Sequence, residues 1–244
     1  MDTQTSIAPV FAVQRSGQRA FFDHGWLKTY HSFSFAEYQD PNNLHWGALR
    51  VFNDDDIAGG GGFPAHPHRD MEIVTYVLSG ELAHRDSMGN HGVVGSGGVQ
   101  FMSAGTGVTH SEFNNQRDEP LHLVQMWVLP GTMGQPPSYG QMEFAPEDRR
   151  NRWLRIVSGE DRVEAPIRIT QRATFAVARL DDATLEYAFT PQRYGFLFVA
   201  GGSVEVNEEH LQTGDAVRLH DVRQLETKGR GELVLWDLPQ IAPS

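Results

Sequence analysis

The sequence predicts an all-β protein built from two antiparallel β-barrels of the jelly-roll type in one chain. The 244 residues have an ordinary globular composition, with 39% hydrophobic and 21% charged residues. The apolar runs are short and rich in Val, Phe, Leu and Trp, and Gly, Pro, Asn and Asp separate them, which is typical of strands in a sandwich or barrel. No long segment has a convincing helical period.

Eight apolar runs mark the predicted strands, and their order is weakly repeated in the two halves of the chain. The runs are 45–52, 71–78, 98–104, 121–129, 174–180, 195–201, 215–220 and 232–238. Residues 77–82 followed by 98–104 resemble residues 199–204 followed by 214–220, because a glycine turn joins two strands and a second one opens another strand. Two barrels of similar plan explain this repeat.

The boundary between the barrels is predicted from a stretch rich in Pro and Gly at residues 129–141, which follows the last strong strand of the first half. We therefore predict an N-terminal barrel over residues 1–135 and a C-terminal barrel over residues 136–244. Two fused barrels bury enough surface to stand alone, so we expect a monomer.

Charge and cysteine content exclude several classes of function. The net charge is −11, so the surface as a whole has no affinity for nucleic-acid phosphates. The chain has no cysteine, which excludes disulfides, thiolate metal sites and a cysteine nucleophile. The N-terminal residues lack the pattern of a signal peptide, and no apolar run has the length of a membrane span. We expect a soluble, cytoplasmic protein.

Two short motifs in the first half have the spacing of metal ligands. His66 and His68 lie in GGFPAHPHRDME, and His110 and Glu112 lie in GTGVTHSEFN. Residues two apart on a strand face the same side, so neighbouring strands would bring three imidazoles and one carboxylate into one barrel interior. Such a set suits Fe(II), Mn, Ni, Cu or Zn. Either pair alone is common by chance among 11 histidines, so the prediction depends on both pairs.

Longer segments around these motifs identify a family. They are HSFSFAEYQDP at 31–41, GFPAHPHRDMEIVTYVLSGEL at 62–82, HRDSMGN at 84–90, MSAGTGVTHSEFN at 102–114 and LHLVQMWVLP at 121–130. Together they resemble the pirin family of bicupins, most closely its bacterial quercetinase-like branch. The resemblance is strong over about residues 20–140 and mainly architectural beyond. It implies a bicupin whose N-terminal barrel holds an iron-group metal through His66, His68, His110 and Glu112.

The resemblance also bears on which carboxylate is the ligand. Cupins in general often use the glutamate that corresponds to Glu72, whereas pirins use the one that corresponds to Glu112. Glu112 lies two residues after His110 and shares its face. Glu72 lies four residues after His68 and could also face inward, so we interpret it as a residue that supports the ligands.

The C-terminal barrel is predicted to lack metal ligands. When Gly202 is aligned with Gly80, Ala188 and Thr190 fall at the positions of the first two histidines. Other candidates are interpreted as surface, hydrogen-bonded or core residues: His31, His45, His84, His91, His122, Trp46, Phe101, Met102 and Trp127. The acidic run Asp54–Asp56 is interpreted as a solvated loop, and the glycines at 59–62 as a flexible approach to the histidine strand.

The function that the resemblance implies is a quercetin 2,3-dioxygenase. Such an enzyme opens the ring of a flavonol, a small aromatic enol, with O2 and releases carbon monoxide. One divalent metal is required; Fe(II) is favoured, and Mn, Ni, Co, Cu and Zn are alternatives. Glu112 would act as ligand and base in turn, because a bound carboxylate can loosen and accept a proton.

Two alternatives come from other classes. Some pirins are iron-binding, redox-sensing proteins that regulate a protein partner, either a transcription factor or a metabolic enzyme. The acidic surface favours a protein over DNA as such a partner. The third hypothesis is a metal-dependent isomerase or hydrolase, because cupins host many chemistries and fold does not determine function.

Overall fold

The computed structural model describes residues 8–241, whose regular secondary structure is almost entirely β-strand. The first twelve strands are β1 (Val10–Gln14), β2 (Ala20–Asp23), β3 (Leu27–His31), β4 (Leu49–Ile57), β5 (Gly62–His68), β6 (Glu72–Ser79), β7 (Glu81–Asp86), β8 (His91–Gly95), β9 (Val99–Ser103), β10 (Val108–Asn114), β11 (Leu121–Val128) and β12 (Ser138–Met142). The remaining strands are β13 (Leu154–Ser158), β14 (Ile167–Arg168), β15 (Thr174–Ala188), β16 (Tyr194–Val206), β17 (Glu209–Gln212), β18 (Ala216–His220) and β19 (Gln224–Leu238).

Helical structure within these residues is limited to two short 3-10 turns, Ser16–Gln18 and Pro146–Arg149. Across residues 8–241, no helix combines the length and the apolarity that crossing a bilayer would need. The predicted all-β fold class is confirmed.

Three sheets build the two barrels. In the first barrel a seven-stranded sheet, β12-β9-β6-β11-β4-β3-β2, accompanies a four-stranded sheet, β5-β10-β7-β8. The second barrel is formed by a larger sheet in the order β1-β18-β16-β19-β15-β13-β14, with β17 paired to β16. The pairing is antiparallel except between β13 and β14. Two fused barrels of this plan are the predicted bicupin architecture.

Strand exchange occurs across the predicted boundary between the barrels. Strand β1 pairs with β18, with Val10 opposite His220, and so belongs to the second barrel. Strand β12 pairs with β9, with Ser138 opposite Ser103, and so extends the first barrel. The division at residue 135 stays a prediction, and strand pairing departs from it at both ends of the first half.

The repeat that the sequence suggested corresponds to equivalent strand pairs. Strand β6 lies between β9 and β11, and β16 lies between β18 and β19. Gly80 follows β6 with φ of 82°, and Gly202 lies within β16 with φ of 88°. Both glycines adopt the left-handed region that side chains disfavour; Gly80 separates β6 from β7, and Gly202 follows a bulge within β16.

The largest apolar core lies between the barrels. On β4, Phe52 packs against Phe196 and Phe198 of the second barrel, with ring centroids 4.8 and 4.9 Å apart. Successive strand residues point to opposite faces, so the neighbours of Phe52 on β4 face the interior of the first barrel. The inter-barrel core thereby determines which residues of β4 and β11 surround the candidate site.

The acidic run is part of β4 rather than the solvated loop that we predicted; Asp54 and Asp55 are buried, and Asp56 is exposed. Asp54 is 8% exposed and Asp55 is 3% exposed. Asp54 accepts contacts from Arg19 at 2.9 Å and from His122 at 2.7 Å. These partners compensate the Asp54 carboxylate for its loss of hydration. Because they come from distant parts of the chain, the three aspartates alone could not indicate this burial.

Candidate metal centre

Strands β5 and β10 bring the two histidine motifs together. They pair antiparallel with His66 directly opposite His110, and the register shifts between His110 and Glu112. Alternate residues of β10 are buried, and His110 and Glu112 are each 2% exposed. The two histidine motifs therefore lie on neighbouring strands.

Three imidazoles form one cluster. The ligand atoms of His66, His68 and His110 lie within 4.8 Å of one another. His66 Nδ1 lies 2.7 Å from the carbonyl oxygen of Pro64. A carbonyl can only accept, so Nδ1 carries the proton and Nε2 keeps a free lone pair.

The separation of two ring nitrogens fits a shared ion. His66 Nε2 lies 3.0 Å from His110 Nε2. Two nitrogens at right angles around one ion, each about 2.1 Å from it, would be about 3 Å apart. A cation between the two lone pairs would bind both nitrogens at this distance, so the donor set and its geometry fit a divalent transition metal.

Burial keeps the imidazoles of His68 and His110 neutral. Burial lowers the pKa of His68 to about 4, and the neighbouring His110 and His66 lower it further. Burial also lowers the pKa of His110 to about 3, with added repulsion from His66 and His84. Neutral imidazole is the form that binds metals, and it predominates here at neutral pH.

Glu112 is held by two glutamines on the facing sheet. Gln100 donates its amide to Oε1 at 2.6 Å, and Gln125 donates to Oε2 at 2.8 Å. The ligand atoms of Glu112 group with those of His110 and His84 within 4.8 Å, rather than with the whole set of three imidazoles. The structure thus brings Glu112 beside one predicted ligand, and the four-ligand set stays a prediction.

His84 is the residue that sequence reasoning missed. It is 3% exposed, its ring stacks on Tyr139 at 4.2 Å, and its Nδ1 lies 3.4 Å from His110 Nδ1. We interpreted it as an ordinary hydrogen-bonded histidine. The spacing of His84 and Asp86 on β7 is the same two-residue step that marked the other motifs, and it could have identified this pair.

Glu72 serves the contact between the barrels. Its Oε1 accepts hydrogen bonds from the backbone N–H of Thr170 at 3.0 Å and from Thr170 Oγ1 at 2.7 Å. Glu72 is 1% exposed at the start of β6. This role differs from the support of the metal ligands that we expected, because Thr170 belongs to the second half of the chain.

An aromatic wall lies beside the imidazoles. The ring of Trp127 meets His68 edge-on at 4.8 Å, and Phe35 meets Trp127 at 5.3 Å. Trp127 Nε1 donates to Gln125 Oε1 at 3.2 Å. We expected Trp127 only to pack in the core, whereas it contacts both a predicted ligand and the glutamine that binds Glu112.

A cavity of about 370 Å³ opens next to His68, and it is lined by Pro67, His68, Arg69, Ser87, Gly107, Val108 and Thr109. Among residues 8–241, the groups of His, Asp and Glu side chains whose ligand atoms lie close enough to share an ion are both in the first barrel. Ala188 and Thr190, which align with the histidine motif, line a separate cavity of the second barrel.

Two fused antiparallel barrels with histidines converging inside the first define a protein of the bicupin class. Residues 12–128 match the pirin family, and residues 155–238 match the quercetinase C-terminal cupin domain. The chain belongs to the pirin family, as the sequence motifs indicated.

Relatives that match most of the chain agree with this assignment. The quercetin 2,3-dioxygenase of Escherichia coli K12 is 38% identical over 232 residues, which cover 94% of this chain and 99% of the relative. A pirin-like protein of Caulobacter vibrioides is 44% identical over 219 residues, which cover 88% of this chain and 94% of the relative.

The fold agrees with solved pirin structures. The crystal structure of YhhW from Escherichia coli superposes with a TM-score of 0.89 at 36% identity, covering 96% of this chain and 100% of that one. The structure of the same bacterial pirin in complex with nickel(II) gives a TM-score of 0.88 at 36% identity, covering 95% and 100%.

Proposed function

We propose that this protein is a metal-dependent dioxygenase that opens the ring of a flavonol such as quercetin with O2 and releases carbon monoxide. The observation that carries the proposal is the pair of Nε2 atoms of His66 and His110 at 3.0 Å, beside a buried carboxylate. The name of the Escherichia coli relative and the nickel(II) complex of the structural neighbour support it.

His66, His68, His110 and Glu112 would hold the metal. Fe(II) is our first choice, and Ni, Mn, Co, Cu and Zn accept the same ligand types. A bound divalent ion would lower the pKa of a flavonol hydroxyl and orient the ring.

The residues of the chain supply the proton transfer and the surroundings. Glu112 would accept the proton of the 3-hydroxyl, and the amides of Gln100 and Gln125 hold its oxygens in place. Trp127 and Phe35 offer aromatic surface next to His68. Both atoms of O2 enter the ring-opened ester, the carbon that bore the hydroxyl leaves as carbon monoxide, and the substrate supplies all the electrons.

Carbon monoxide release from quercetin under air tests the proposal. The protein would be reconstituted in turn with Fe, Mn, Ni, Co and Cu, and the metal content measured before each assay. We expect release that is lost in His66→Ala. No release with any metal, from protein shown to be loaded, would overturn the proposal.

The role of Glu112 needs its own variant. We expect Glu112→Gln to keep much of the metal, because the imidazoles remain, and to lose turnover, because an amide does not accept the proton. Undiminished carbon monoxide release in this variant would remove Glu112 from the base role while leaving the dioxygenase assignment intact.

A further inference from the structure

Two buried residues on β7 lie behind the imidazole cluster. Strand β7 pairs with β10 so that His84 faces Glu112 and Asp86 faces His110 across the ladder. The side chains of His84 and Asp86 are both fully buried. The three-histidine cluster lies on one side of the His110 ring, and this pair lies on the other.

Hydrogen bonds around Asp86 determine where the protons are. The carboxylate accepts the backbone N–H of Met88 at 2.9 Å and that of Asn90 at 3.0 Å, and the side-chain amide of Asn90 at 2.9 Å. Every one of these partners is a donor, so Asp86 acts only as an acceptor. His84 Nε2, which lies 3.3 Å from Asp86 Oδ2, must therefore donate to it.

The next hydrogen bond in this series follows from the two nitrogens of a neutral imidazole. With its proton on Nε2, His84 has an acceptor at Nδ1. His110 Nδ1 lies 3.4 Å from that atom, so a proton on His110 Nδ1 would complete a hydrogen bond to His84. His110 Nε2 is then left with a lone pair, and this is the atom 3.0 Å from His66 Nε2.

We propose that His84 and Asp86 are positioning residues that determine the tautomer of His110 and so present its Nε2 lone pair to the metal. The proposal rests on the proposed function of His110 as a ligand. His66 obtains the same tautomer from the carbonyl of Pro64, so the two ligands that face each other are oriented by different means. The carboxylate of Asp86, at the end of this series of hydrogen bonds, also increases the electron density on His110 Nε2. The backbone carbonyl of Pro64 has the same effect on His66 less strongly.

Asp86→Asn is the sharpest test because it keeps the shape of the side chain. Its oxygen can still accept the N–H groups of Met88 and Asn90, which leaves the new amide nitrogen to donate to His84 Nε2. His84 would then carry its proton on Nδ1, and His110 would have to carry its own on Nε2, where it blocks the metal.

Two measurements report on the variant independently. Long-range ¹H–¹⁵N NMR of the metal-free protein at neutral pH identifies the protonated nitrogen of each histidine, and chelator competition gives the affinity for Ni(II). In the wild type we expect His110 to carry its proton on Nδ1 and His84 to carry its proton on Nε2. In Asp86→Asn each proton should lie on the other ring nitrogen, and the Ni(II) affinity should be reduced about 10–100-fold. Arg85→Ala, an exposed neighbour on the same strand, should change neither.

His84→Phe provides a second variant if Asp86→Asn does not fold. It keeps a ring stacked on Tyr139 and removes the acceptor, so Ni(II) affinity should again fall and His110 should show a mixture of tautomers. Nε2–H on His110 in the wild type would overturn the proposal, and so would unchanged tautomers and affinity in a folded variant. Neither readout uses quercetin, so failure of the dioxygenase assay would leave this inference standing.

Discussion

Gln125 donates its side-chain amide to Glu112 Oε2 across 2.8 Å, and its orientation is determined by its other neighbour. An indole N–H can only donate, so the contact of Trp127 Nε1 with Gln125 Oε1 at 3.2 Å places the amide oxygen toward the indole and the nitrogen toward Glu112. Through Gln125, Trp127 of the aromatic wall thereby helps to hold the carboxylate of Glu112, the proposed base, in place.

Removing this amide should reduce turnover more than metal binding. We expect Gln125→Leu to lower kcat for carbon monoxide release about 10–100-fold, as loss of an outer partner of a ligand commonly does. KM and metal content should change little, because the imidazoles and the aromatic wall remain. Gln141→Leu is the matched control, since Gln141 contacts Tyr139 and Val93 instead. A Gln125→Leu enzyme with wild-type kcat would contradict the coupling.

The contact between Glu72 and Thr170 predicts a loss of stability without loss of metal. Glu72→Ala leaves the N–H and hydroxyl of Thr170 without their acceptor, so the free energy of unfolding should fall by about 1–3 kcal/mol. Urea titration and metal analysis on the same preparation check both parts. If Glu72→Ala folds normally but purifies without metal, Glu72 takes part in the centre and our placement of it is wrong.

Burial of Asp55 predicts an unusual dependence of stability on pH. Burial raises the pKa of Asp55 to about 7, and repulsion from Asp54 and Glu112 adds to the rise. The folded chain therefore holds this proton more tightly than the unfolded chain. The free energy of unfolding should fall as pH rises from about 4 to 7, by up to about 1.4 kcal/mol per pH unit.

Asp55→Asn removes the charge and should remove this loss. In the metal-free protein, we expect the variant to be more stable than the wild type above pH 7 and close to it near pH 4, as measured by urea titration across the range. Asp56→Asn is the control, because Asp56 is the exposed neighbour on the same strand. Parallel pH profiles for Asp55→Asn and the wild type would show that Asp55 is ionised at little cost.

Local periodicity predicted the strands that are apolar on both faces, but it shortened those that continue as half-exposed ribbons. The run at 174–180 is the buried beginning of β15, which extends to Ala188 with alternating exposure. Likewise, 232–238 is the end of β19, which begins at Gln224. Polar residues alternate in the missed parts, so the absence of an apolar run did not mean the absence of a strand.

The candidate site was predictable where spacing alone places side chains. The shared face of His66 and His68 on β5, and that of His110 and Glu112 on β10, follow from the two-residue period of strands. The grouping of Glu112 with His84, and its hold by Gln100 and Gln125, depend on which strands become neighbours. That neighbourhood comes from the closure of the barrel, and single-strand patterns contain no information about it.

Gly62 allows β5 to approach β10 closely at the candidate base. A Cβ atom on Gly62 would collide with the carbonyl oxygen of Glu112 and with Phe113, which lies opposite it in the ladder. We had interpreted the glycines at 59–62 as a flexible approach, whereas this one is required by the space between two strands.

Gly62→Ala should therefore displace Glu112 as well as destabilise the barrel. Backbone atoms form the obstacle and cannot move aside as a flexible side chain would, so we expect a loss of about 1–3 kcal/mol in the free energy of unfolding and weaker Ni(II) binding. Gly140→Ala is the control, because nothing lies within 4 Å of its added Cβ. If the glycines served only flexibility, Gly62→Ala would keep its stability and Ni(II) affinity and change only the rate of turnover.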